Sequence, residues 1–418
     1  MKNPRKLLKI ATAGSVDDGK STLIGRLLYE TESLPSDRLD AIRATSKRLG
    51  FDYLDFSLAT DGLTAEREQG ITIDVAHIYF NTPRTNFIIA DTPGHFEYTR
   101  NMVTGASTSE VAIVLIDARK GVTEQTRRHL HIAALLRLRH VVVAVNKMDL
   151  IGYDRERFAD VSAEALALCA SAGIDDRQVS VVPLSAREGD NVTVASDAMP
   201  WYTGAPLLAT LERLAAEEHV HSAPFRFSVQ TVIRPKTDAF HDFRGFAGMV
   251  QGSAISVGDE VVVLPSRMRS RVKAIHVFDR HYASAGPGSS VVLELEDEVN
   301  LSRGELLVRA GEEPEGHAVL EARVCHMNRK AFSVGSRFLL QQGSQRVLAR
   351  VDAVLDRVAD DFSGSVEATA LELNAIGRVR LKLAKPLYTD RYDDHKANGA
   401  FILIDERTND TATVGVVV

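Results

Sequence analysis

Eight residues near the amino terminus, Gly14-Ser15-Val16-Asp17-Asp18-Gly19-Lys20-Ser21, constrain what this chain can fold into more than any other stretch. They match G-x-x-x-x-G-K-[ST] and stand between Leu7–Ala13, which reads as a buried strand, and Lys20–Glu30, which reads as a helix. The glycines let the backbone curl so that successive N–H groups face an anion at the positive end of the helix. Lys20 then supplies a point charge to the outer phosphates, the Ser21 hydroxyl ligates magnesium, and Thr22 continues the same cradle. A phosphate loop of this kind demands a sheet with helices packed on it. The sequence supplies them: Ile71–Phe80 and Asn86–Asp91 read as a strand pair, Val111–Ala118 and His140–Asn146 as strands covered on both faces, Thr123–Arg137 as a helix and Gln178–Pro183 as a last strand.

Further motifs fall at the ends of those strands. Gly70-Ile71-Thr72 precedes the second strand, where Thr72 can reach magnesium through its hydroxyl. Asp91-Thr92-Pro93-Gly94-His95 closes an apolar strand; Asp91 can hold magnesium through water, and Gly94 lets a backbone N–H approach a γ-phosphate. His95 is the candidate for positioning the attacking water, with Val16 and Ile71 as an apolar gate around it. Asn146-Lys147-Met148-Asp149 selects the base. The Asp149 carboxylate accepts from guanine N1–H and the 2-amino group, whereas adenine lacks that amino donor and leaves the carboxylate unpaired. Asn146 is expected to tie loops together, the Lys147 stem to cover the base, and Ser185-Ala186 to meet guanine O6 through backbone. Together they predict a magnesium-dependent GTPase, with Lys20, Thr72 and His95 as its catalytic residues and Ser21, Thr72 and Asp91 as its metal ligands.

Beyond His221 the helical pattern fades into short β-rich runs, first Phe225–Ile233, Phe246–Gln251, Glu260–Leu264, Arg271–Phe278 and Ser290–Leu295, then a second block from about Ala318 to Val418. The expected order is an α/β P-loop GTPase domain at 1–219, a β-barrel at 220–312 and a second β-barrel at 313–418, with Ala310–Gly316 as linker. The 418 residues carry 44% hydrophobic and 25% charged side chains and a net charge of −6, which argues against nucleic acid as the main partner. The two cysteines, Cys169 and Cys325, have no C-x-x-C pairing and read as small core residues in a reducing compartment. The basic, briefly apolar start at Met1–Ile10 runs straight into the phosphate loop and is not read as a signal peptide. Nothing approaches the roughly 18 apolar residues of a membrane span, so the expected location is the cytoplasm.

Several stretches resemble one family within the translation-factor GTPases, the large GTP-binding subunit of bacterial sulfate adenylyltransferase. They are Gly14–Leu28, Asp61–Val75, Phe87–His95, Tyr98–Thr108 and Asp117–Arg128, and then, outside the nucleotide motifs, Glu188–Asn191, Met199–Tyr202, Asp242–Gly248, Ser302–Leu306 and Asp390–Tyr392. The last two groups, Asp242–Gly248 and Asp390–Tyr392, read as barrel turns and packing. The family usually has Glu directly after the switch histidine; here Phe96 comes first and Glu97 second, and Ala13 stands where Cys is frequent. The resemblance implies a heterodimer or higher hetero-oligomer, in which an ATP-pyrophosphatase-type small subunit makes adenosine 5′-phosphosulfate and diphosphate from ATP and sulfate while GTP is hydrolysed on this chain. No ATP-pyrophosphatase loop and no second phosphate loop occurs, so neither adenylyl transfer nor a kinase activity is expected here. An elongation factor delivering aminoacyl-tRNA is the alternative, disfavoured by the forms of Tyr98–Thr108 and Asp61–Val75.

Overall fold

The structure is a computed structural model that describes residues 5–15, 17–48, 50–51, 53–59, 74–93, 99–217, 223–235, 243–278 and 280–418. It divides into two compact units, Met1–Glu218 with Asp360–Gly364, and His219–Ala359 with Ser365–Val418. In the first unit a sheet forms from β1 (Lys6–Ala13), β2 (Ala76–Asn81), β3 (Thr85–Asp91), β4 (Val111–Asp117), β5 (His140–Asn146) and β6 (Val179–Pro183), in the order β2-β3-β1-β4-β5-β6. Only β2 runs antiparallel to its neighbour. Every residue of β4 and β5 is buried, as continuous apolar strands under helices on both faces should be.

The helices are α1 (Lys20–Glu30), α2 (Ser36–Arg48), α3 (Thr99–Ser107), α4 (Glu124–Leu135), α5 (Arg155–Ser171) and α6 (Leu207–Ala216). The helix expected at 123–137 starts one residue later because Thr123 is its N-cap, exchanging bonds with Thr126 in a capping box. α5 was not foreseen as an element; it buries only Val161, Ala165, Leu168 and Cys169, and its clearest local mark is the Asp154 side chain accepting from the backbone of Glu156 and Arg157. Both cysteines are buried, and burial pushes the Cys169 thiol up to about 11. Parallel pairing brings the strand ends to one edge, with Thr12 opposite Asp91 and Asp117 opposite Asn146. Ligands of open α/β sheets bind at that carboxyl edge.

Among the described residues the second unit holds two large sheets and two short two-stranded ones. One large sheet includes Arg226–Ser228, Thr231–Ile233, Gly245–Met249, Glu260–Leu264, Arg269–Val277, Ser290–Leu295 and Leu306–Arg309. The run Phe225–Ile233 proves to be two strands. Its first part pairs with Leu306–Val308 and its second with Gly245–Ala247, so the chain changes partner at Val229 and Gln230. Reciprocal bonds between Arg226 and Gln251 draw this sheet back on itself. In the other sheet Arg337–Gln342, Ala400–Ile404, Thr411–Val417, Gly316–His326, Ile376–Tyr388 and Gln345–Val358 close into a six-stranded barrel, because the first and last also pair.

Asp390, read from the sequence as part of a barrel turn, is an ionic lock. Its carboxylate takes two bonds of 2.8 Å from the Arg226 guanidinium and one of 2.7 Å from Asn398 Nδ2, and the Arg226 side chain is only 2% exposed. Burial alone would raise the Asp390 carboxyl, yet these partners hold it below its ordinary value. Breaking one side of a buried pair strands the other charge. Asp390→Ala is therefore expected to cost about 3–5 kcal/mol in urea unfolding, and the apolar pair Arg226→Met with Asp390→Leu to recover most of it.

Candidate nucleotide site

The loop between β1 and α1 is shaped by left-handed backbone, with Asp17 at φ 70° and Gly19 at φ 94°. A Cβ on Gly19 would lie 2.4 Å from Asn146 Nδ2, so glycine is required there for space as well as for backbone. Lys20 Nζ donates to Gly14 O at 3.0 Å and to Ser15 O at 3.4 Å, which folds the ammonium back under the loop. Burial pushes the Lys20 ammonium below its ordinary value, opposed by Asp91, Asp18 and Asp17. At the neighbouring strand end Asp91 is 2% exposed and accepts from Thr12 Oγ1 at 3.0 Å, while Thr92 Oγ1 donates back to Thr12 O. The Ser21 hydroxyl and the Asp91 carboxylate are hard oxygen donors of the kind magnesium prefers, and the pairing of β3 with β1, Asp91 opposite Thr12, puts that carboxylate beside the loop.

Asp18 faces the other way. Its Oδ2 accepts the Ser15 N–H at 2.6 Å, and its Oδ1 is buried without a hydrogen-bond partner among the described residues. Burial pushes this carboxyl up to about 6, against the Ser15 N–H and Lys20. A carboxyl raised from 3.8 gives stability that is complete below pH 3.8 and lost as pH rises through about 6. That loss amounts to at most about 3 kcal/mol in the nucleotide-free chain. Asp18→Asn should therefore flatten the decline in unfolding free energy between pH 4 and 7; an unchanged slope in urea titrations would count against this environment.

The base side is assembled by Asn146. Its Nδ2 donates to Asp18 O at 2.7 Å and its Oδ1 accepts the Ala186 N–H at 2.9 Å, so one side chain joins the phosphate loop to the loop after β6. Lys147 adopts φ 64°, its ammonium donates to Asp17 O and pairs with Asp117 Oδ2 at 3.1 Å. Asp117 was not singled out from the sequence as a site residue, although it opens the stretch Asp117–Arg128. Burial would raise it, but Arg119, bonded at 2.7 and 3.0 Å, and Lys147 hold its carboxyl well below the usual range. Met148 is fully buried, its N–H on Leu184 O, and Ser185 is fully buried with its Oγ accepting from Glu188 N. Among the described residues Asp149 Oδ1 is buried with no hydrogen-bond partner.

Gly19, Thr22, Asn146, Lys147, Asp149 and Ala186 line an open cavity of about 180 Å³. Its far wall comes from residues the sequence did not mark, Tyr53, Leu54, Asp55, Phe56, Leu150 and Arg187. The Arg187 guanidinium lies 4.1 Å over the Tyr53 ring. No local signal marks these residues, since a Tyr and an Arg so far apart in sequence meet only through the fold. The structure thus brings together Gly14, Ser15, Asp17–Thr22, Asp91, Thr92, Asn146–Asp149, Ser185 and Ala186 at one sheet edge. Pro93 follows Thr92 as an unpaired coil residue. Val16, Gly70, Ile71, Thr72, Gly94 and His95 lie outside the described residues.

Comparison with known proteins agrees with this fold. The family "Elongation factor Tu GTP binding domain" matches residues 5–223, and "GTP-eEF1A C-terminal domain-like" matches 319–418. Sulfate adenylyltransferase subunit 1 of Aliivibrio fischeri (strain ATCC 700601 / ES114) is 47% identical over 415 residues, covering 99% of this chain and 86% of that protein. The bifunctional enzyme CysN/CysC of Mycobacterium tuberculosis (strain CDC 1551 / Oshkosh) is 46% identical, covering 98% of this chain and 67% of that protein. Among solved structures, the GTPase-like domain of S. cerevisiae Ski7, bound to GDP and inorganic phosphate, matches 99% of this chain and 97% of that one at 16% identity and a TM-score of 0.56, a likeness of fold. No helix among the described residues is long and apolar enough to cross a membrane.

Proposed function

Because the chain belongs to the sulfate adenylyltransferase subunit 1 family, with a GTP-binding domain of the elongation factor Tu type, we propose that it is the GTP-hydrolysing subunit of a sulfate-activating enzyme. The observation that carries this reading is identity of 47% across 99% of the chain to a protein of that name, joined to a phosphate loop and base pocket meeting at one sheet edge. The partner is an ATP-pyrophosphatase-type subunit, where a sulfate oxygen attacks the α-phosphorus of ATP and diphosphate leaves. The mixed anhydride so formed is unfavourable, and GTP hydrolysis on this chain drives it. The pair forms a heterodimer or a higher hetero-oligomer and works in the cytoplasm, and the domains run 1–219, 220–312 and 313–418.

In the proposed mechanism the backbone of Gly14–Gly19 and the Lys20 ammonium hold the GTP phosphates, with Ser21, Thr22, Asp91, Thr92, Pro93 and Gly94 around them. Ser21, Thr72 and Asp91 are the residues that would hold magnesium, which when bound offsets charge on the β- and γ-phosphate oxygens. His95 orients a water toward the γ-phosphorus; its oxygen bonds there as the bond to the β–γ bridging oxygen breaks, giving GDP and phosphate. Asn146, Lys147, Met148, Asp149, Ser185 and Ala186 hold guanine. Lys20 needs no reorganisation to act, since Gly14 O and Ser15 O already aim it into the loop.

The test is diphosphate release from ATP and sulfate by this chain with its small subunit, with and without GTP. Strong GTP stimulation, lost in Lys20→Ala, is the expected result. Release indifferent to GTP, with guanine nucleotide still bound, would remove sulfate from the reading and bring aminoacyl-tRNA forward.

A further inference from the structure

The outer face of the closed six-stranded barrel carries charge that the barrel itself does not need. Strand register places Arg337 opposite Arg350 and Arg350 opposite Lys382, all three exposed. Like charges directly opposite one another oppose strand pairing. The chain neutralises the third of these cations and others on the same strands: Lys382 meets Asp352 at 3.1 Å, Arg380 meets Glu321 at 2.7 Å and Arg378 meets Asp356 at 2.7 Å. Among the described residues no carboxylate pairs with Arg337 or Arg350, and Arg346 bonds only Gln341 Oε1, at 2.8 Å.

Apolar side chains share this face. Leu339 lies opposite Leu348, between the Arg337–Arg350 pair and the Gln341–Arg346 pair, and Leu348 is 50% exposed. Val319, opposite Lys382, is 45% exposed. The strand Arg337–Gln342 is paired on both sides, to Gln345–Val358 and to Ala400–Ile404, so an incoming segment cannot add to it as a further strand. Recognition here has to run through side chains.

We propose that this face, centred on Arg337, Leu348 and Arg350, docks an acidic segment of the adenylyltransferase partner, with aliphatic side chains on Leu339 and Leu348 and carboxylates on the two arginines. The proposal rests on the function proposed above. Arginine is enriched in protein interfaces, and their buried centres are more apolar than their rims. A nucleic-acid backbone offers phosphates to the arginines and nothing to the leucines between them. Unpaired surface cations also speed encounter with an acidic partner and make it sensitive to salt.

Association of the full chain with its small subunit, followed by analytical ultracentrifugation at two salt concentrations, tests the idea. Arg337→Glu with Arg350→Glu should weaken assembly about 30-fold or more and remove most of its salt dependence. Leu348→Asp should weaken it comparably, and in all variants fluorescent-GTP affinity should stay at the wild-type value. Wild-type assembly undiminished in both variants overturns the docking face. So does a loss confined to binding of a labelled RNA duplex. If the wild-type chain binds GTP but does not assemble with that subunit at all, the sulfate reading itself falls and the docking proposal falls with it.

Discussion

Asp149→Asn should lower GTP affinity by roughly 10⁴-fold and transfer preference to xanthosine triphosphate. The effect is large because Asp149 Oδ1 is buried without a partner among the described residues, on a cavity where Asn146 and Lys147 already have theirs. Asn146 spends its amide nitrogen on Asp18 O and its oxygen on the Ala186 N–H. Lys147 is held by Asp17 O and Asp117. The unsatisfied acceptor is therefore Asp149, and guanine brings the two donors it lacks. Asparagine would present an N–H to the 2-amino group, leaving two buried donors facing each other, whereas xanthine offers an oxygen at that position. A competition titration with a fluorescent guanine nucleotide reads this directly. Unchanged GTP affinity, or a matching gain for ATP, would show that the pocket reads the base elsewhere.

Lys20→Ala should reduce GTP hydrolysis by about 10²–10³-fold, with GTP-stimulated diphosphate release falling in parallel. Its ammonium is fixed by Gly14 O and Ser15 O before any phosphate arrives, and it is pulled below its ordinary pKa by burial. A positive group that is preorganised and shielded from water acts on developing phosphate charge far more strongly than one in solvent. The methyl of alanine supplies nothing in its place, and Arg26, the other cation of α1, is committed to Ala186 O, Arg187 O and Glu30. Single-turnover phosphate release checks the prediction, with thermal unfolding as a control for the fold. Hydrolysis retained within about threefold would mean that another cation meets the phosphates.

How much of this was legible in the residues depends on how local each feature is. The phosphate loop, the strands β4 and β5 and the Asn146–Asp149 motif were readable because a glycine turn, a run of buried β-branched residues and a four-residue pocket each carry their signal within a few positions. The same holds for Glu260–Leu264, Ser290–Leu295 and Arg337–Gln342, whose limits matched their apolar runs. α5 carries little local signal because its buried stripe is narrow and its remaining face polar. The single run expected at Phe225–Ile233 was divided by a change of strand partner, which no property of the run itself announces.

By itself the sequence determined the glycine-shaped loop between β1 and α1, the Asn146–Asp149 turn at the end of β5 and the succession of an α/β domain by β-rich sheets, because composition and spacing fix backbone conformation locally. Tertiary structure alone decided which distant groups meet. Asn146 reaches across 128 positions to Asp18, Arg226 across 164 to Asp390, and Asp117 comes beside Lys147 only through the register of β4 against β5. Such pairings are set by how strands align and how loops close over long stretches of chain. Their energy depends on burial and on partners that no short window of residues contains.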